Sequence, residues 1–253
     1  MSEKQRDLNL QGIILKKTVF RETSLIVDIF TPDYGSISVM AKGVRSEKSK
    51  VTGLLEILNE LDLSLYKKPD SDWFIFKNAD LIKAHLYDLD FQTGVLMQAA
   101  AEIYRQLTLE HSDFSGLYEL LKQYLDYIGT VPKNGIAIFW RFLLRLFRLI
   151  GIEFNVTRCV ECGGEKLFAA YYPRQHGFIC HGCYRPMLDD YMIKLNNEET
   201  EVFSKLLTIG KLRYELSLSP QTVSQINRIF LVHLSEHFHQ KFYLKSLEMI
   251  IGR

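Results

Sequence analysis

The chain has 253 residues, of which 47% are apolar and 24% charged, with a formal net charge of +1. This length suits one large domain or two small ones, and the composition is that of an ordinary globular protein. Near-neutrality excludes a globally basic nucleic-acid binder, so any basic footprint must be local. No stretch approaches eighteen uncharged apolar residues, the length a membrane-spanning helix needs. The longest apolar segment, 136–152, carries Arg141, Arg145 and Arg148.

Residues 10–82 read as β. Leu10–Thr18, Ser24–Thr31 and Gly35–Lys42 are short runs rich in Ile, Val and Phe. Pro32-Asp33-Tyr34-Gly35 separates the second and third as a hairpin turn, with Pro fixing φ and Gly supplying a left-handed position. Leu61, Leu63 and Leu65 alternate with Asp62, Ser64 and Tyr66, the pattern of a half-buried strand. Trp73–Lys77, continued to Ile82, makes a fifth run. Five short strands predict a small antiparallel barrel of the OB-fold kind.

The period changes after Asp88. Residues 88–111, 113–128 and 134–151 carry apolar positions three and four apart, which predicts amphipathic to buried helices. Asp113 and Asn134 are candidate N-caps, and Gly129 and Gly151 candidate stops. Helical pattern resumes at about 196–209, where Asn196 and Glu199 suggest a capping box. Ser219-Pro220 opens a long helix to about Lys241, and a short helix covers about 244–251. The expected architecture is α+β, with an OB-fold domain over 1–82 and a helical domain over 83–253. A cysteine segment at about 155–190 is inserted in the second domain.

All four cysteines belong to one pattern: Cys159-x-x-Cys162, seventeen residues, then Cys180-x-x-Cys183. Each C-x-x-C brings two sulfurs to one side, and a second pair one hairpin later completes a tetrahedral thiolate cage for structural zinc. Disulfides fit poorly, because the N-terminal MSEKQRDLNLQG has no apolar h-region to direct export. A redox C-x-x-C needs a thioredoxin-like context, and a catalytic zinc usually keeps a position open for water. His176 and His181 lie nearby but find the cage already filled by sulfur.

The segment Lys42-Gly43-Val44-Arg45-Ser46-Glu47-Lys48-Ser49-Lys50 places four cations and one anion on a loop leaving the third strand. Such a loop can follow phosphates, with Lys16, Lys17 and Arg21 extending the patch and Phe20, Tyr34, Tyr66 and Trp73 offered for base stacking. The bland alternative is a solvated loop above a core of aromatics. Arg141, Arg145 and Arg148, spaced four and three apart, share one face of their helix. They either pair with neighbouring carboxylates or form an anion site for an acidic peptide. No nucleophile elbow, Walker loop or dinucleotide fingerprint is present, so no enzyme is expected. His233 and His237 sit four apart on the long helix, the geometry of a metal face, but without the Glu placement of a zinc protease. They read as surface or interhelical groups.

Taken in order, several strings resemble the bacterial DNA repair protein RecO family. They are Gly12-Ile13-Ile14-Leu15-Lys16, Arg21-Glu22-Thr23-Ser24-Leu25-Ile26-Val27, Phe30-Thr31-Pro32-Asp33-Tyr34-Gly35 and Ala41-Lys42-Gly43-Val44-Arg45. The four cysteines, Leu218-Ser219-Pro220 and Leu244-Lys245-Ser246 continue the series nearly to the end. The resemblance implies an OB-fold, a helical domain bearing a zinc finger, and a cytoplasmic bacterial protein acting at the nucleoid. It also implies binding of single- and double-stranded DNA, annealing of complementary strands, and help in loading a recombinase. The implied partners are RecR and the acidic C-terminal tail of single-strand-binding protein. On this reading Lys16, Lys17, Arg21, Lys42, Arg45, Lys48 and Lys50 hold DNA, and Arg141, Arg145 and Arg148 are the candidate tail site. The alternative is an RNA-binding or transcription-related OB-fold protein with a structural zinc hairpin.

Overall fold

Alternating apolar and polar residues in the first third of the chain fold into five strands of one closed barrel. The computed structural model describes residues 6–46, 49, 51–67, 73–110, 112–153, 155–165, 167–185, 191–208 and 217–251. The strands are β1 (Arg6–Phe20), β2 (Ser24–Thr31), β3 (Gly35–Ala41), β4 (Asn59–Lys67) and β5 (Phe74–Ala84). Their order around the barrel, β1-β2-β3-β5-β4, is the OB-fold topology. All seams are antiparallel except β3–β5, which is parallel and pairs Val39 with Phe74 and Met40 with Ile75.

β1 is longer than its apolar run because it serves two neighbours. Arg6–Ile13 pairs with β4 and Ile13–Phe20 with β2, with a register shift between Ile14 and Lys16. Inward-facing Val27, Ile29, Val39, Leu61, Leu63 and Leu65 fill the barrel and are buried. Gly35 closes the β2–β3 turn at φ 63°, and a Cβ there would lie 2.7 Å from the Phe114 ring. The position therefore demands glycine twice over, for conformation and for space.

Two helices pack on this barrel: α1 (Phe91–Gln106) and α2 (Phe114–Ile128). Phe30 of β2 meets Tyr104 and Phe114 edge-on, with ring centroids 4.9 and 6.4 Å apart. Tyr104 donates its hydroxyl to the Leu117 carbonyl at 2.8 Å, and Tyr124 donates to that of Leu96 at 3.0 Å. These bonds satisfy buried hydroxyls and pin the two helices together. α1 starts later than its periodicity suggests because Asp90 accepts from the Thr93 N–H at 3.0 Å and caps it. α2 begins at the expected cap, Asp113, which accepts from the Gly116 N–H at 2.9 Å. Barrel, α1 and α2 form one compact unit over Met1–Thr130, and Val131–Arg253 forms a second.

The second unit contains α3 (Gly135–Leu149), α4 (Asn197–Lys205), α5 (Pro220–Phe238) and α6 (Lys245–Ile251). A small sheet, β6 (Phe168–Tyr172), β7 (Gly177–Cys180) and β8 (Ile193–Lys194), is ordered β7-β6-β8. The sheet adds a third strand to the anticipated hairpin; two residues are too few to show a period. Asn134 does not cap α3 through its side chain: it sits left-handed at φ 54°, a conformation Asn tolerates, and serves the turn instead. Asn196 and Glu199 do form the capping box on α4. Ser219 caps α5, and the Glu198 carboxylate accepts from the Ser219 N–H and hydroxyl and from Thr222 Oγ1, each at 2.8 Å. Trp140 donates its indole N–H to Asn227 Oδ1 at 2.8 Å, and Phe147 packs on Phe230, joining α3 to α5. Among the described residues no helix is long and apolar enough to cross a membrane.

Candidate metal centre and nucleic-acid interface

The four cysteines converge. Cys159 and Cys162 lie on the loop before β6, Cys180 ends β7 and Cys183 follows it, yet their sulfurs all lie within 4.8 Å of one another. Local backbone geometry makes this happen. Gly163, at φ 68°, donates its N–H to the Cys159 carbonyl at 2.9 Å, and Cys183 N–H donates to that of Cys180 at 3.1 Å. Gly177 is required at the start of β7, because a Cβ there would lie 2.2 Å from the Val160 side chain that packs beside the cage.

No cysteine is disulfide-bonded, and Cys162 and Cys180 sulfurs are 3.9 Å apart. Burial acts to raise the Cys159 thiol, but backbone N–H donors of Cys180, Cys162 and Glu161 outweigh it and bring it down to about 6. Cys183 moves the other way, to about 12, because its thiol hydrogen-bonds to the sulfurs of Cys162 and Cys180. Four thiols so placed cannot all ionise without a cation among them. The donor set therefore fits a metal ion.

The basic residues divide into a cluster and outliers. Arg21 occupies the β1–β2 turn at φ 56°, with its guanidinium 5.3 Å from the Phe20 ring centroid. Arg45 folds back onto this turn: its N–H donates to Thr23 O at 2.9 Å and its Nη1 to Glu22 O at 3.0 Å. Lys42, exposed at the end of β3, leaves the same rim of the barrel, since Ala41 pairs with Leu25 at the start of β2. Three cations thus meet at one rim. Lys16 and Lys17 are half-buried on β1, and Lys17 is salt-bridged to Glu56. Lys48 and Lys50 lie outside the described residues.

Aromatics form a second feature of the barrel surface. Tyr34 and Trp73 are 46% and 39% exposed and border a cavity of about 460 Å³ with Ser36, Ser38, Lys67 and Phe74. The Lys67 ammonium lies 5.2 Å from the Phe74 ring, and Tyr34 meets that ring edge-on at 5.8 Å. Ser36, Ser38 and Met40 alternate outward along β3 between this shelf and Lys42, while Ile37 and Val39 point inward. The two aromatics are among those the sequence offers for base stacking, whereas nothing in the local sequence marks Lys67.

Both halves of the chain match one family. Residues 3–85 match the family described as "Recombination protein O N terminal", and residues 89–248 match "Recombination protein O C terminal". The chain belongs to the recombination protein O family. A protein of Chloroherpeton thalassium named "DNA repair protein RecO" is 35% identical over 159 residues, 60% of this chain and 60% of its own length. Similarly named proteins of Acetivibrio thermocellus and Halalkalibacterium halodurans are 23% and 22% identical, covering 96% and 94% of this chain and 98% and 94% of theirs. The chain aligns with about 60% of the length of the relatives from Chloroherpeton thalassium, Prosthecochloris aestuarii and Pelodictyon phaeoclathratiforme.

The arginine stripe of this family member lies on the exposed face of α3, whose opposite side is buried through Ile138, Phe139, Phe142 and Leu146. Arg148 donates from Nε and Nη2 to Glu153 Oε1 at 3.0 and 2.5 Å, so part of its charge is already answered. A buried polar cluster went unrecognised in the sequence. Glu60, 1% exposed, accepts from the Lys122 ammonium at 2.6 Å and the Tyr118 hydroxyl at 3.1 Å. His85 lies between Glu60 and Asp126, at 3.7 and 3.5 Å. Its partners are distant in sequence, and no local period marks them. The cluster fastens α2 to β4, a scaffolding role.

Proposed function

We propose that this chain mediates DNA repair and homologous recombination by binding single- and double-stranded DNA and annealing complementary strands. The observation that carries the reading is the gathering of Arg21, Lys42 and Arg45 at one rim of an OB-fold, in a chain matched over both halves by the recombination protein O family. Cations at the rim reduce repulsion between two phosphate backbones, and base pairing then supplies the downhill free energy. Tyr34 and Trp73 offer π-faces to unpaired bases, which favours single strands along β3. The reading contains no catalytic step, and it places the protein at the bacterial nucleoid in the cytoplasm.

Zinc is the proposed occupant of the cysteine cage. A tetrahedron of thiolates about 2.3 Å from zinc has sulfur–sulfur edges of about 3.8 Å. The Cys162–Cys180 separation of 3.9 Å supports that fit. The ion would brace the loop before β6 against β7, with no part in strand pairing.

Further partners belong to the same proposal: RecR, and the acidic C-terminal tail of single-strand-binding protein, whose displacement would assist recombinase loading. Arg141 and Arg145 on α3, with Arg148 at its end, are the proposed contacts for that tail, supported by three guanidiniums on one exposed face. Annealing is tested with two complementary oligonucleotides carrying a fluorophore and a quencher. Faster quenching with the protein, and loss of that acceleration in Arg21→Glu/Lys42→Glu, are expected. Failure to bind oligonucleotides at low salt, or tight binding with no gain in pairing rate, refutes the proposal.

A further inference from the structure

A second set of metal-ligating side chains lies apart from the four thiols. His176 sits at the tight turn between β6 and β7, left-handed at φ 52°. His233 and His237 sit one turn apart on α5. The fold brings these three rings, separated by up to sixty-one positions in sequence, into mutual contact. Centroids of His176 and His237 are 3.9 Å apart, of His233 and His237 4.5 Å, and of His176 and His233 6.0 Å. One ring nitrogen from each lies within 4.8 Å of the other two.

The hydrogen bonding of the rings shows what they lack. Nδ1 of His176 and Nε2 of His237 are buried with no hydrogen-bond partner, a state that polar atoms in proteins rarely keep. His233 is different. Its Nε2 donates to the Ile152 carbonyl at 2.6 Å, which leaves the lone pair on Nδ1. A backbone carbonyl holding one ring N–H is the usual support of a metal-bound histidine, because it fixes tautomer and ring orientation. The Tyr171 hydroxyl donates to that Nδ1 at 2.9 Å.

We propose that His176, His233 and His237 form a second metal site, for a divalent first-row transition ion held by imidazole nitrogen. Three imidazoles without sulfur or carboxylate suit Zn²⁺, Ni²⁺, Co²⁺ or Cu²⁺ and not Mg²⁺ or Ca²⁺. Among the described residues no fourth ligand joins the three, so water completes the shell. Binding satisfies the two orphaned nitrogens, exchanges the Tyr171 hydroxyl for the ion at His233, and fans the stacked His176 and His237 rings apart. His176 and His237 are only half-buried, which gives an ion a way in. The ion would clip the β6–β7 turn to α5, a tie separate from the thiolate cage.

The test adds Co²⁺ to untagged, full-length protein already loaded with one equivalent of Zn²⁺. A second ion per chain is expected by mass spectrometry, with a visible spectrum that lacks sulfur-to-metal charge transfer. His176→Asn, which keeps the left-handed turn, and His237→Ala should each abolish this ion and leave the first. Tyr171→Phe, which frees Nδ1 of His233, should tighten Co²⁺ binding. If metal content stays at one ion per chain as Co²⁺ is raised to saturation, the proposal is wrong. A second ion that persists in His176→Asn overturns it equally.

Discussion

Lys42→Ala tests the proposed rim directly, because the expected share of each cation can be worked out. A phosphate contact contributes about −0.7 to the slope of log K against log salt on single strands. Arg21, Lys42 and Arg45 give a slope of roughly −2.1 if each meets one phosphate. Between about 50 and 200 mM salt that slope costs about 18-fold in affinity, whereas a slope of roughly −1.4 after Lys42→Ala costs about 7-fold. Cations elsewhere on the protein steepen both slopes equally, so the difference of about 0.7 survives. Lys17 supplies the control, since it is already salt-bridged to Glu56. Replacing both, as Lys17→Met/Glu56→Gln, conserves net charge and should leave the slope within about 0.2. Fluorescence anisotropy of a labelled oligothymidine, measured across a salt series, reads all three slopes. Equal losses for Lys42→Ala and the paired control, or no loss for Lys42→Ala, would refute the assignment of the rim.

Removing stacking should behave differently from removing charge. Trp73→Ala or Tyr34→Ala should weaken single-strand binding by about 1–3 kcal/mol while leaving the salt slope unchanged; a changed slope contradicts the shelf. Glu60→Gln keeps the shape of its site but removes the negative charge that answers the Lys122 ammonium and turns one of its two acceptor oxygens into a donor, and should cost about 2–3 kcal/mol in urea unfolding. A loss below about 0.5 kcal/mol would show the cluster to be dispensable. Burial lowers the His85 pKa from its ordinary 6.5, so the unfolded chain binds a proton there that the folded chain refuses. Stability of the barrel unit should accordingly decline as pH falls below about 6.5, and the decline should shrink in His85→Gln. Cys162→Ser should remove the one ion held by the thiols, lowering zinc content by about one per chain, and destabilise the second unit, with rim-dependent DNA binding retained.

Where local periodicity or local chemistry dictates structure, the sequence was readable. Leu61, Leu63 and Leu65 announce an inward strand face and are buried. Asn196 with Glu199, and Ser219 with Pro220, announce helix starts that depend on side chains a few residues away. Paired C-x-x-C motifs foretell a cage because two tight turns do most of the positioning. Asn134 shows the limit: the residue type fits both a cap and a left-handed turn, and the neighbouring backbone decides between them. Features assembled across long separations left no trace. Glu60 meets Lys122 and Tyr118 from another element, and His176 reaches the His233–His237 pair only because the β6–β7 turn folds against α5. Lys67 acquires meaning only beside Phe74, its partner across the β4–β5 ladder.

The parallel seam between β3 and β5 carries a mechanical consequence. Its described ladder consists of Val39–Phe74 and Met40–Ile75, whereas every other seam is zipped along most of a strand. Elastic deformation of the barrel should concentrate at this short clasp, because fewer hydrogen bonds must yield there. Tyr34 and Trp73 line a cavity with Phe74, a member of that ladder, so a base wedged between them would press where the wall gives most readily. A ligand's grip and the barrel's girth would then be mechanically linked, letting one scaffold accommodate strands of unequal thickness without parting its longer ladders.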